Sequence, residues 1–140
     1  MRAIVALLLA AALLTGCGSE QATLGVAING QPPIDFGFGG FQITATLERD
    51  DARIGSWEPA RQPSVAIDPG DYRLVLTVAE LSDVIECTGP GGGGVKPTCT
   101  RDMGDPRFLC STPVTLGSGE TLELEIDVAT GESPCPVTRR

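Results

Sequence analysis

Apolar residues recur at every second position in segment after segment of this chain, and a period of two describes strands rather than helices. Phe41, Ile43, Ala45 and Leu47 alternate with Gln42, Thr44, Thr46 and Glu48. Leu24, Val26 and Ile28 alternate in the same way with Gly25, Ala27 and Asn29. Val65 and Ile67 lead into Asp68-Pro69-Gly70-Asp71, and Tyr72, Leu74, Leu76 and Val78 resume the pattern beyond it. Proline presets one backbone angle of such a turn and glycine accepts a positive one, so this stretch reads as a hairpin. Val114 and Leu116 precede Gly117-Ser118-Gly119. Leu122, Leu124, Ile126 and Val128 follow it, set against Thr121, Glu123, Glu125 and Asp127. Strands with one apolar and one polar face must cover the apolar one. Six strands with this pattern predict an all-β fold, antiparallel sheets stacked face to face as a sandwich.

Three stretches lack the alternation: residues 30–40, 50–62 and 82–112. The third is long for a loop, and an extra hairpin is expected inside it. Four cysteines, Cys87, Cys99, Cys110 and Cys135, lie in or beyond that stretch, an even number in a small chain, which reads as two disulfides. Three connectivities are open to four cysteines. The symmetry of Cys87-Thr88 before the glycine-rich tip and Thr98-Cys99 after it favours Cys87 with Cys99 and Cys110 with Cys135. Metal-binding cysteines come in closer pairs, and the chain has no histidine, so no metal site is expected.

The fifth cysteine is different. Met1-Arg2 is a short basic start, residues 4–14 are apolar, and Leu14-Thr15-Gly16 leads into Cys17. The segment resembles the lipobox of bacterial lipoproteins. That resemblance implies cleavage before Cys17, a diacylglyceryl group on its sulfur and an acyl chain on its amine. Eleven apolar residues fall short of the roughly 20 that a spanning helix needs, so lipid has to hold the protein. The implied organisation is a signal peptide over 1–16, a lipidated cysteine with a short tether over 17–22, and one domain over 23–140. Gly18 stands where some two-membrane bacteria place an aspartate for inner-membrane retention, so the resemblance points to the outer membrane where a host has one.

Cleavage would leave nine basic and 18 acidic residues, a formal charge of −9. Phosphate backbones and anionic lipid surfaces are repelled by such a balance, and Lys96 is the single lysine, so nucleic acid is not an expected partner. Without histidine, neither a Ser-His-Asp nor a Cys-His arrangement can form. Among 18 carboxylates close pairs are inevitable, so Asp50-Asp51, or Asp102 with Asp105, reads as solvated loop rather than as a glycosidase-like pair. Gly94-Val95-Lys96-Pro97 departs from the Gly-Lys-Ser/Thr of a phosphate-binding loop, and Asp102-Met103-Gly104-Asp105 is too short for a calcium loop. No cofactor is expected.

The stretch from Val65 through Pro69-Gly70-Asp71-Tyr72 to Val78, with Gly119-Glu120-Thr121 entering the last alternating strand, resembles carboxypeptidase regulatory-like domains. That implies an antiparallel β-sandwich of about seven strands, transthyretin-like or immunoglobulin-like, with the cysteine-bearing stretch as a disulfide-pinned excursion, of the kind found in extracytoplasmic accessory units. No site residue follows from it. Phe36, Phe38 and Phe41, spaced by glycines, form a possible binding loop for a protein or a sugar face, against the alternative that they plug one end of the sandwich. Lone Trp57 reads as a core cover. The sequence thus predicts a lipid-anchored structural or binding module of the cell envelope without catalysis. A glycan or small-ligand accessory domain and a carboxylate-dependent hydrolase are the alternatives. Its expected partners are the membrane, through Cys17, and an envelope protein or glycan.

Overall fold

The structure is a computed structural model that describes residues 18–37, 39–89, 94 and 98–140. Nine strands run in chain order: β1 (Ala22–Asn29), β2 (Phe41–Arg49), β3 (Ala52–Trp57), β4 (Ser64–Ile67), β5 (Gly70–Thr88), β6 (Thr98–Met103), β7 (Arg107–Leu116), β8 (Thr121–Asp127) and β9 (Val137–Arg139). One sheet has the order β4-β1-β8-β9. In the other, β3-β2-β5 is extended by β6 and β7, which both pair with β5. The two sheets face each other across a core of Leu24 and Val26 from β1, Ala45 and Leu47 from β2, Leu74, Leu76 and Val78 from β5, Val114 and Leu116 from β7, and Leu122, Leu124 and Ile126 from β8. Each such side chain contributes roughly 1.5–3 kcal/mol when fully buried.

The alternation read from the sequence fixes which face of each strand enters this core. Tyr72, Leu74, Leu76 and Val78 are buried, while Arg73, Val75 and Thr77 between them are not. The sandwich is nevertheless not wholly antiparallel: β1 and β8 pair in parallel, Leu24 opposite Leu122 and Ile28 opposite Ile126. Both strands bury the same side-chain parity, so the pattern is blind to direction.

Two of the three stretches without alternation turn out to contain paired strands, and so does the C-terminal segment. Within residues 50–62, β3 forms a hairpin with β2 in which Arg49 opposes Ala52, leaving Asp50 and Asp51 as a two-residue turn with φ of 52° and 60°. Both central residues are left-handed, as the tight turn matching strand twist requires, and aspartate is among the few non-glycine residues that tolerate it. Within residues 82–112, β5 continues far past Val78, and β6 and most of β7 return along it. Short β9 pairs with β8 from Leu124 to Ile126.

The turn into β5 shows why its residues are needed. Tyr72 buries its ring and its O–H donates to the Asp68 carbonyl at 2.6 Å, closing Asp68-Pro69-Gly70. The Arg49 guanidinium stacks over that ring, 4.6 Å from its centre, and donates to the Pro69 carbonyl at 3.2 Å. It occupies the space above Gly70, where a Cβ would meet Arg49 Nη2 at 1.5 Å.

Candidate functional site

The strand directions give the molecule two distinct ends. At one, the chain enters through residues 18–21, beside the turns at residues 50–51, 68–69 and 117–120. The Glu20 carbonyl accepts from the Gly119 N–H (3.0 Å) and the Ser118 hydroxyl (3.3 Å), and the Gln21 amide donates to Asp68 (3.4 Å). The entering chain is thus fastened from Glu20 onward.

From the other end projects an arm. β2 and β7 accompany β5 only as far as Glu80 and Val78, and beyond them β5 pairs with β6 alone, as a two-stranded ribbon. This is the hairpin expected in the third irregular stretch. It is larger than that expectation and continuous with a core strand. An isolated ribbon is marginal in water, and this one is stapled by the Cys87–Cys99 disulfide between directly opposed residues. Ile85 is 55 % exposed, Val84 60 % and Met103 54 %. At the arm's base, Glu80 accepts from the Gly37 N–H (2.9 Å), Arg101 donates to the Gly39 carbonyl (3.2 Å) and the Leu81 N–H donates to the Gly40 carbonyl (2.9 Å). The loop between β1 and β2 is thereby tied to the ribbon.

The second disulfide, Cys110–Cys135, is buried and joins β7 in one sheet to the segment that enters β9 in the other. The Cys135 N–H donates to the Ser111 carbonyl at 3.0 Å beside it. Two disulfides assign the chain to an oxidising, extracytoplasmic compartment.

Of the aromatic loop, Phe36 and Phe41 pack on each other with ring centres 4.9 Å apart and lie partly buried against the core. They close the arm end of the sandwich. Phe38 lies outside the described residues, as do Cys17 and Lys96. Trp57 is a core residue, and its indole N–H is buried without a hydrogen-bond partner. Asp102 and Asp105 are exposed at the arm's base. Among the described residues no group of three or more metal-ligating side chains forms, and no helix is long and apolar enough to cross a membrane.

The ion pairs among the described residues lie at the surface, and the largest gathering of charge is the shallow depression around Arg73, lined by Glu48, Arg49, Asp50, Asp51 and Asp71. The Arg73 Nε donates to Glu48 at 3.0 Å, and Asp51 lies 3.7 Å from its guanidinium. The hydrogen bond to Glu48, then the attraction of its charge, raises the Arg73 pKa above its ordinary value, against a small opposing desolvation and with a further contribution from Asp51. Arg140 pairs with Glu125 and Arg61 with Glu58 in the same surface manner.

A feature that the alternation conceals is a lateral slot of about 410 Å³ between the sheets, lined by Val26, Ile28, Phe41, Ile43, Pro59 and Pro63 among others. Nothing in the sequence marks it, because β3 carries no apolar alternation and the points where β3 and β4 stop short of their neighbours are set by pairing. No family model, no curated protein and no solved structure matches this chain.

Proposed function

We propose that this protein is a lipid-anchored module of the cell envelope that engages a neighbouring macromolecule and performs no catalysis of its own. The observation that carries the reading is the polarity of the molecule: the chain emerging from Cys17 is tied down at Glu20 and Gln21, and the stapled arm leaves from the opposite end. Only residues 17–19 separate an anchor at Cys17 from the fold, which keeps one end within about 10 Å of the lipid surface. The contour of the 19-residue β5, at about 3.3 Å per residue, sets an upper limit of about 60 Å on the distance of the arm's tip from that end. Such a layout suits presentation of a surface above a membrane. The end facing the lipid carries Glu20, Asp50, Asp51, Asp68 and Glu120, so fatty acyl chains rather than headgroup attraction would hold it there.

The carboxypeptidase regulatory-like reading belongs to the same proposal, supported by the Pro69-Gly70 turn and the Tyr72 hydrogen bond that closes it. The non-catalytic reading rests on the lack of histidine and on carboxylates that are exposed or spent in ion pairs. A sugar-binding role for the aromatic loop is disfavoured, because Phe36 and Phe41 pack on each other and against the core rather than presenting free ring faces.

Fractionation of cells expressing the wild type and Cys17→Ser tests the anchor. The wild type should sediment with membranes, carry an acyl mass on an N-terminal cysteine and enter the outer-membrane fraction of a two-membrane host, while Cys17→Ser should be released. A protein that retains Met1 with no acyl mass refutes the reading.

A further inference from the structure

We propose that the lateral slot is a strand-addition site, in which an extended segment of a partner protein bearing net positive charge pairs with the uncovered half of β1. The proposal deepens the binding reading by naming the class of partner, and it is independent of how the protein is anchored.

Both sheets lack a strand at the same place. β4 pairs with β1 from Ala22 to Gly25 and the preceding Pro63 takes the Val26 N–H, so among the described residues 27–29 have no strand neighbour on that side. β3 pairs with β2 only from Ala45 to Arg49, leaving residues 41–44 equally bare. The connection from β3 to β4 crosses from one sheet to the other at that height. Beyond it lies the slot, whose floor reaches the buried core residues Val26 and Ile43.

The bare edge offers hydrogen bonds in strand geometry. The Val26 N–H donates to the Pro63 carbonyl at 2.8 Å, on the β4 side, whereas the Asn29 carbonyl accepts from Val128 at 3.0 Å, on the β8 side. Alternation along β1 then directs the Ile28 N–H and C=O to the β4 side, past the end of that strand. On β2, the Gly40 carbonyl accepts from Leu81 toward β5, so Phe41 and Ile43 turn their backbone groups outward to the slot. Backbone donors and acceptors beside alternating apolar pockets recognise another strand, and an uncovered edge beside core residues is one that proteins otherwise protect.

Charge selects the occupant. A second copy would bring the same net negative charge against this one, −8 over the full sequence, and like charges oppose association. A basic extended segment is attracted instead.

The test uses the purified protein and a dye-labelled peptide, Lys-Val-Thr-Val-Thr-Val-Lys. Fluorescence anisotropy should show saturable binding that weakens with salt. A Glu-flanked peptide of the same core should bind at least about tenfold more weakly, a difference of about 1.4 kcal/mol. Hydrogen exchange should find the Ile28 amide fast in the free protein and slowed at least about tenfold by the peptide. Ile28→Pro removes the donor, and Ala60→Trp fills the slot from its exposed rim without touching the core; each should weaken binding at least about tenfold with the thermal melt retained. An Ile28 amide already slow in the free protein, undiminished binding by a folded Ala60→Trp, protection on the arm instead of β1, self-association of the domain through this edge, or no binding of the peptide would each overturn the proposal.

Discussion

Replacing both cysteines of one disulfide by alanine separates the two staples by the part of the molecule each one holds. For a closed loop of 25 residues, the loss of loop-closure entropy from the unfolded chain gives about 3.5 kcal/mol for Cys110–Cys135. The same relation gives about 2.8 kcal/mol for the 12-residue separation of Cys87–Cys99. The measured effects should differ far more than these values. Cys110 and Cys135 are 2 % and 6 % exposed and stitch one sheet to the other, so the whole domain unfolds across that link. An unfolding entropy of about 0.25 kcal/mol/K for a domain of about 120 residues converts the loss into a Tm drop of about 14 °C. Cys87 and Cys99 hold only the ribbon, which has no second layer. Without its staple the arm frays while the sandwich stays folded, and the global transition loses only the small net stability of the arm. Cys87→Ala/Cys99→Ala should therefore lower the Tm by less than about 4 °C and speed amide exchange in residues 81–88 and 98–103. Calorimetry and site-resolved exchange on the two double variants decide the matter. A fall of about 11 °C for Cys87→Ala/Cys99→Ala, as expected if the staple acted on the whole domain, would refute the view of the arm as a separate unit.

Substitutions at three further positions probe the sandwich itself. Leu76→Ala empties a fully buried position at the centre of β5 and should cost about 2–5 kcal/mol in denaturant unfolding; a loss below about 1 kcal/mol would mean the core collapses around the gap. Asp51→Gly relieves the second left-handed residue of the β2–β3 turn and should raise stability by about 0.5 kcal/mol, whereas a decrease would show that the Asp51 carboxylate near Arg73 outweighs backbone strain. Trp57→Phe discards a buried N–H without a partner along with part of the ring, so it should stay within about 1.5 kcal/mol of wild type. Trp57→Ala, which leaves a cavity, should lose about 3–5 kcal/mol. Equal losses for the two would show that the indole N–H is satisfied.

The sequence by itself determined the fold class and the inner face of the major strands, because side-chain alternation in a strand is a local property. Phe41 to Leu47 and Tyr72 to Val78 announce their buried face with no knowledge of their neighbours. It also carried the oxidising compartment and the cysteine pairing across the tip, since Cys87 and Cys99 sit symmetrically about one turn. Pairing partners are a different matter. That β1 lies parallel to β8 depends on which edges remain free after all other strands have paired, and no alternation of side chains encodes direction. β3 was hidden because Ile54 is exposed and Gly55 has no side chain, so burial gave it no period to read. The slot was legible only in three dimensions. An empty edge is a property of the strands that stop short of it, and residues such as Ile28 carry the same side chain whether or not a neighbour takes their backbone hydrogen bonds.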